Sequence, residues 1–142
     1  MKNFELCLIS LIFLVSSPLV VAQDEEAETK IKESGNVCVN SRTIRNFDAF
    51  TDEHIYVEER SNQHYLFTMN RRCPGLRNSV GIAIKDTTSR VCSKGFGDVV
   101  YRGHGNRLES CRIGTIEVVD SRDDAKALVE QRKSDKDQAD KN

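Results

Sequence analysis

The sequence lacks most of the signatures by which a chain announces chemistry. It has no tryptophan, and phenylalanine and tyrosine together make up only 6% of its residues. Base-stacking platforms for a nucleic-acid barrel would therefore have to be Tyr65 and Phe67, which read more simply as core residues. Charge of one sign is also missing. The formal net charge is -1, and no segment carries the excess that marks a nucleic-acid binder. No Gly-x-Ser-x-Gly elbow is present, which removes one route to a nucleophilic serine. No two cysteines lie close together: the gaps between Cys38, Cys73, Cys92 and Cys111 are 34, 18 and 18 residues. Structural zinc takes its cysteines in close pairs, so this spacing argues against a metal site. Past Ala22 there is no apolar run long enough to cross a membrane, and there is no internal repeat.

The long apolar run that does exist opens the chain. Leu6 to Val15 is apolar apart from Cys7 and Ser10, Ser16-Ser17-Pro18 interrupts it, and Val20-Val21-Ala22 precedes Gln23. A short charged start, an apolar stretch and small residues at the end describe a secretory signal over residues 1–22, with cleavage after Ala22. Cys7 leaves with it. The four remaining cysteines are an even set in an exported chain, which implies two disulfides.

Charge divides the rest. Residues 23–36 form an acidic polar linker with a balance of -3 over Asp24 to Ser34. Cys38 to Val119 carries twelve basic residues, ten of them arginine, against nine acidic ones. Residues 37–120 are thus a mildly basic domain. Residues 121–142 are a charged tail. Ser121 with Asp124 resembles a helix cap, and Ala125, Leu128 and Val129 repeat at helical spacing. Lys126 and Glu130 would pair at i, i+4. A short C-terminal helix is expected there, giving way to disorder beyond Gln131.

Between these arms the pattern is β. Val39–Phe47 reads as a first strand, and His54–Arg60 and His64–Asn70 form a hairpin around Ser61-Asn62-Gln63. Pairing Val57 with Phe67 and Ile55 with Met69 gathers one apolar face, while Leu66 points to the other, which is therefore partly covered. Pro74-Gly75 marks a tight turn. Further strands follow at Val80–Ile84, Arg90–Cys92, Asp98–Arg102 and Arg112–Val119. Six or seven short strands without a helix among them predict a small all-β antiparallel barrel or sandwich.

Four cysteines allow three connectivities. A return strand at Arg90–Cys92 brings Cys92 to the end of the barrel that holds Cys73 and favours Cys73–Cys92 nested inside Cys38–Cys111. Without that return strand, Cys38–Cys92 with Cys73–Cys111 is preferred. Closures of these lengths contribute about 3 to 4.5 kcal/mol each in the loop-entropy account.

The chain resembles a family of small exported bacterial proteins grouped as a domain of unknown function. The residues that carry the resemblance are Cys38, His64-Tyr65-Leu66, Cys73-Pro74-Gly75-Leu76, Val91-Cys92, Gly97-Asp98-Val99-Val100 and Cys111-Arg112-Ile113-Gly114. It spans approximately Val37 to Val119. Where the family has one residue between cysteine and Gly-Asp, this chain has Ser93-Lys94-Gly95-Phe96. The resemblance implies a periplasmic setting and a shared fold, and no activity.

Candidate site residues are few. His54 and His64 are read as ordinary strand residues that do not oppose each other. Glu58-Glu59 and Asp52-Glu53 are adjacent carboxylates, which on a strand face opposite ways and cannot share a substrate. One cluster stands out. Arg71, Arg72 and Arg77 surround Cys73, and Arg90 and Lys94 surround Cys92. A Cys73–Cys92 bond would gather all five into an anion-binding face for an anionic envelope component or an acidic protein. No cofactor motif is found. The reading is a periplasmic or secreted, non-catalytic binding or structural module. Its rivals are an enzyme assembled from scattered strand residues, and a secreted inhibitor that presents the Cys73–Leu76 loop.

Overall fold

Val39–Phe47, expected as one strand, is two strands, because the chain turns at Asn40–Thr43. The Thr43 amide donates to the Asn40 carbonyl at 3.1 Å. In the computed structural model, which describes residues 36–141, β1 (Cys38–Asn40) therefore separates from β2 (Ile44–Ala49). The expected signal over 1–22, with Cys7, and the linker up to residue 35 lie outside the described residues. The remaining strands are β3 (His54–Glu59), β4 (His64–Met69), β5 (Ile82–Lys85), β6 (Arg90–Cys92), β7 (Asp98–Arg102) and β8 (Leu108–Val119), followed by helix α1 (Arg122–Ala139).

Six strands form one antiparallel sheet in the order β2-β3-β4-β8-β7-β5, curled into a half-barrel, and β1 and β6 pair separately. The β8 strand starts four residues before its expected limit and holds the sheet together, pairing with β7 through its first half and with β4 through its second. A bulge at Gly114 makes this work. Strand alternation would send Ile113 and Ile116 to opposite faces, but the extra residue lets Cys111, Ile113, Ile116 and Val118 join the same cluster. A Cβ at Gly114 would sit 2.7 Å from Asn70 Oδ1 and 3.2 Å from the Thr68 carbonyl, so the crossing is close enough to need glycine.

The main core lies on one face of the sheet and includes Ile55, Val57, Phe67, Val99, Tyr101 and Ile116. Val39 and Val91 of the β1–β6 pair close over it, as do Cys73 and Leu76. The opposite face carries a second, smaller cluster in which Tyr56 and Leu66 meet Ala125, Leu128 and Val129 of α1. That cover was expected from Leu66. The helix starts as expected too, with the Ser121 side chain accepting from the Asp124 amide at 3.1 Å.

Further expectations need correction. The β3–β4 register is Ile55 with Phe67 and Val57 with Tyr65, two residues from the expected pairing. A shift of two preserves the face, so the same side chains still point into the core. Helix α1 continues to Ala139, eight residues past Gln131, and Lys126–Glu130 is not among the ion pairs of the described residues. The extension is held by tertiary ion pairs. Arg132 makes a two-pronged contact with Glu117 at 2.7 and 2.8 Å, and Lys136 reaches Glu53 at 3.4 Å. The disulfides, finally, are Cys38–Cys92 and Cys73–Cys111, not the nested pattern. The return strand β6 does exist, but it leaves the main sheet to pair with β1, which sets Cys38 directly opposite Cys92. Cys73 is thereby left for Cys111 on β8.

Candidate functional site

With Cys73 and Cys92 in different bonds, the expected ring of five cations around one disulfide does not form. Arg90 stands on β6 opposite Asn40, and Lys94 follows Cys92, its amide bonded to the Gly114 carbonyl at 2.8 Å. Arg71 is exposed beside Cys73. Only Arg72 and Arg77 of the five enter a common concave site.

That site is a cleft of about 520 Å³ with three walls: the β2–β3 turn with Phe50 and His54, the loop that carries Arg72 and Arg77, and the Val129–Lys136 face of α1. Its size falls within the range of small-molecule sites. The loop wall is fixed by turn chemistry and by the staple. Pro74-Gly75 makes the expected tight turn, with Leu76 N donating to the Cys73 carbonyl at 3.0 Å and Gly75 at φ +86°. Leu76 is fully buried, and Cys73 is bonded to Cys111. The Tyr101 hydroxyl shares its one proton between the Pro74 carbonyl at 3.3 Å and Glu109 at 3.1 Å, and burial, with the Glu109 hydrogen bond, raises its phenol to about 12. Asp52 then ties the loop to the turn: its backbone carbonyl accepts from Cys73 N at 2.9 Å, while its side chain accepts from Arg72 Nε and Arg77 N, each at 3.4 Å.

The turn wall is organised by Thr51. Its Oγ1 accepts from the amides of Glu53 and His54 at 3.1 and 3.0 Å and lies 3.0 Å from His54 Nδ1. With both amide protons pointing at Oγ1, the hydroxyl proton is the one available to Nδ1, which assigns the ring proton to Nε2. His54 is not the half-exposed strand residue expected from sequence. It is 8% exposed, and burial first, then the Arg132 guanidinium, pushes its pKa below the ordinary histidine value. A depressed histidine resists a proton that the unfolded chain would take. Its contribution to stability is complete above the ordinary histidine range and is lost as pH falls through that range toward the folded value. Denaturant unfolding is therefore expected to give a lower free energy at pH 5.5 than at pH 7.5, with a smaller difference in His54→Asn. An equal difference in the variant would assign the pH dependence elsewhere.

Asp52 and Glu53, expected to diverge as strand neighbours, both line the cleft because they sit in the turn, not on a strand. Glu58 and Glu59 do diverge: Glu58 pairs with Arg45, and Glu59 accepts from Thr43 Oγ1 at 2.6 Å and Tyr65 OH at 3.3 Å on the other side. His64 meets the Tyr56 hydroxyl through Nδ1 at 2.7 Å, away from the cleft lining. Tyr65 and Phe67 are core residues and offer no stacking platform.

The α1 wall was missed from sequence. Arg132, Lys133 and Lys136 line the cleft together with Glu130. The signal was present, since 129, 132, 133 and 136 continue the helical spacing of Ala125, Leu128 and Val129. In all, five cations (Arg72, Arg77, Arg132, Lys133, Lys136) face three carboxylates (Asp52, Glu53, Glu130). Among the described residues no three of His, Cys, Asp and Glu are grouped to hold a metal ion, and no helix is long and apolar enough to cross a membrane.

Fold and site together define a half-barrel stapled by two disulfides, with a helix docked on one face and a basic cleft at the helix margin. The chain belongs to the family of unknown function DUF6491, whose model matches residues 1–135. No curated protein and no solved structure matches it.

Proposed function

We propose that the chain is an exported, non-catalytic binding module of the cell envelope that takes an anionic ligand in the cleft between the Phe50–His54 turn, the Arg72–Arg77 loop and α1. The observation that carries this reading is one concave site of ligand size lined by five cations and three carboxylates, in which Arg132 is already held by Glu117 and Arg77 and Lys133 have no carboxylate partner among the described residues. The signal-like segment 1–22 and the even cysteine set support export to an oxidising compartment, periplasmic or secreted.

The rival readings fit the site less well. An enzyme would need an activated group, yet Asp52 and Glu53 are engaged by Arg72 and Lys136, and His54 is oriented by a threonine hydroxyl, not by a carboxylate. Thr51 Oγ1 is occupied by two backbone amides as a turn cap, a poor state for a nucleophile. An inhibitor loop needs several protruding side chains, and in Cys73–Leu76 only Pro74 is exposed, with Cys73 and Leu76 in the core.

Retention on phosphocellulose, eluted with rising salt, tests the reading. The Arg72→Ala/Arg77→Ala double variant is expected to elute at clearly lower salt, while Arg90→Ala/Lys94→Ala elutes with the wild type. Equal retention of the Arg72/Arg77 variant and the wild type would overturn the assignment.

A further inference from the structure

The cations of the cleft differ in what already holds them. Arg72 is paired with Asp52 at 3.4 Å, Arg132 with Glu117 at 2.7 Å and Lys136 with Glu53 at 3.4 Å. Among the described residues the side chains of Arg77 and Lys133 have no carboxylate partner. One of these free charges stands on the disulfide-anchored body and the other on α1, and both line the same cleft. A ligand held by both charges would span the contact between helix and sheet. That contact is thin: α1 buries Ala125, Leu128 and Val129, and beyond Val129 it is held by the Arg132 and Lys136 ion pairs.

We infer that the cleft takes a multivalent anion, of the phosphate-chain type, whose separate charged groups bridge Arg77 on the body to Lys133 on α1 and clamp the helix to the sheet. The inference rests on the anion-binding reading above and adds to it both a ligand class and a mechanical consequence. A monovalent group satisfies one wall and leaves the other charged. Two groups on one molecule satisfy both, the second binding at the high effective concentration set by the first. Glu130, one turn before Lys133, is the cleft carboxylate that no cation engages among the described residues, and it opposes an anion on the helix side. Lys133, Glu130 and Arg77 are all exposed, so replacing them leaves the core untouched.

Calorimetric titration of the chain with tripolyphosphate and with orthophosphate, joined to hydrogen exchange over 129–139, tests the bridge. Tripolyphosphate is expected to bind at least about tenfold more tightly than orthophosphate and to slow exchange in the second half of α1. Lys133→Gln should lose that advantage and the added protection, and Glu130→Gln should tighten the binding of tripolyphosphate. Equal affinity for the two anions, an unchanged tripolyphosphate affinity in Lys133→Gln, or binding without added protection of α1 would overturn the bridge and leave the anion site standing. Binding to vesicles of phosphatidylglycerol, with none to tripolyphosphate, would overturn it in favour of a membrane surface. Binding to no anion at all would remove both the bridge and the reading beneath it.

Discussion

Replacing Cys73 and Cys111 together by alanine is expected to lower the free energy of unfolding by about 4 kcal/mol, from the closure entropy of a loop of that length. The sequence separation is 38 residues, and both cysteines are buried. A domain of this size has about 5–15 kcal/mol in total, so the variant would stand near the edge of folding. The physical reason is local as well as entropic. The bond ties the Arg72–Arg77 loop to β8, and Cys73 and Leu76 of that loop both enter the core. Loss of Cys38–Cys92 is expected to cost a similar amount, about 4 kcal/mol for its 54-residue separation, but to free the β1–β6 pair instead. Urea unfolding without reductant measures both, and non-reducing peptide mapping should find the remaining bond intact in each variant. An unchanged midpoint would show that the staple contributes little.

Leu66→Ala is the second large effect. Leu66 is fully buried, and its side chain lies on the helix side of the sheet with Tyr56, Ala125, Leu128 and Val129. A buried leucine cut to alanine costs about 2–5 kcal/mol, depending on how far its surroundings collapse. The cluster is small and its helix half contributes three residues, so most of the loss should appear as undocking of α1. Hydrogen exchange should therefore accelerate first over 122–139 and least in β3 and β4. Uniform acceleration through the sheet would mean that the two clusters do not act as separate layers.

These expectations also show where sequence reasoning reached and where it stopped. Alternation in Ile55-Tyr56-Val57 and Tyr65-Leu66-Phe67 was enough to assign both faces of the hairpin, because side-chain direction depends only on parity. The pairing itself was missed by two residues. The loop is Arg60–Asn62, closed by Glu59 N donating to the Gln63 carbonyl at 2.9 Å, with Asn62 at φ +60°. Asparagine tolerates that left-handed position, so Asn62 was the signal that would have set the register. The cysteine pairing had no comparable signal. Arg90-Val91-Cys92 was visible as a strand, but three residues do not say which neighbour they pair with, and the answer decided both bonds. The arginine cluster built on the wrong bond dissolved with it, leaving Arg72 and Arg77 in place. The helical half of the cleft was hidden for a different reason. Lys133-Ser134-Asp135-Lys136 is polar enough to read as a solvated tail, and what orders it is Glu117 and Glu53, which approach only after the sheet has formed. Local sequence does not contain a tertiary partner.

The central claim is that the Phe50–His54 turn, the Arg72–Arg77 loop and the α1 face form one anion site. It is tested most directly by an NMR titration of backbone amides with tripolyphosphate. The account predicts saturable shifts at Phe50 to His54, around Arg72 and Arg77, and over Val129 to Lys136. Shifts centred on Arg90 and Lys94, or scattered over every exposed cation, would contradict it.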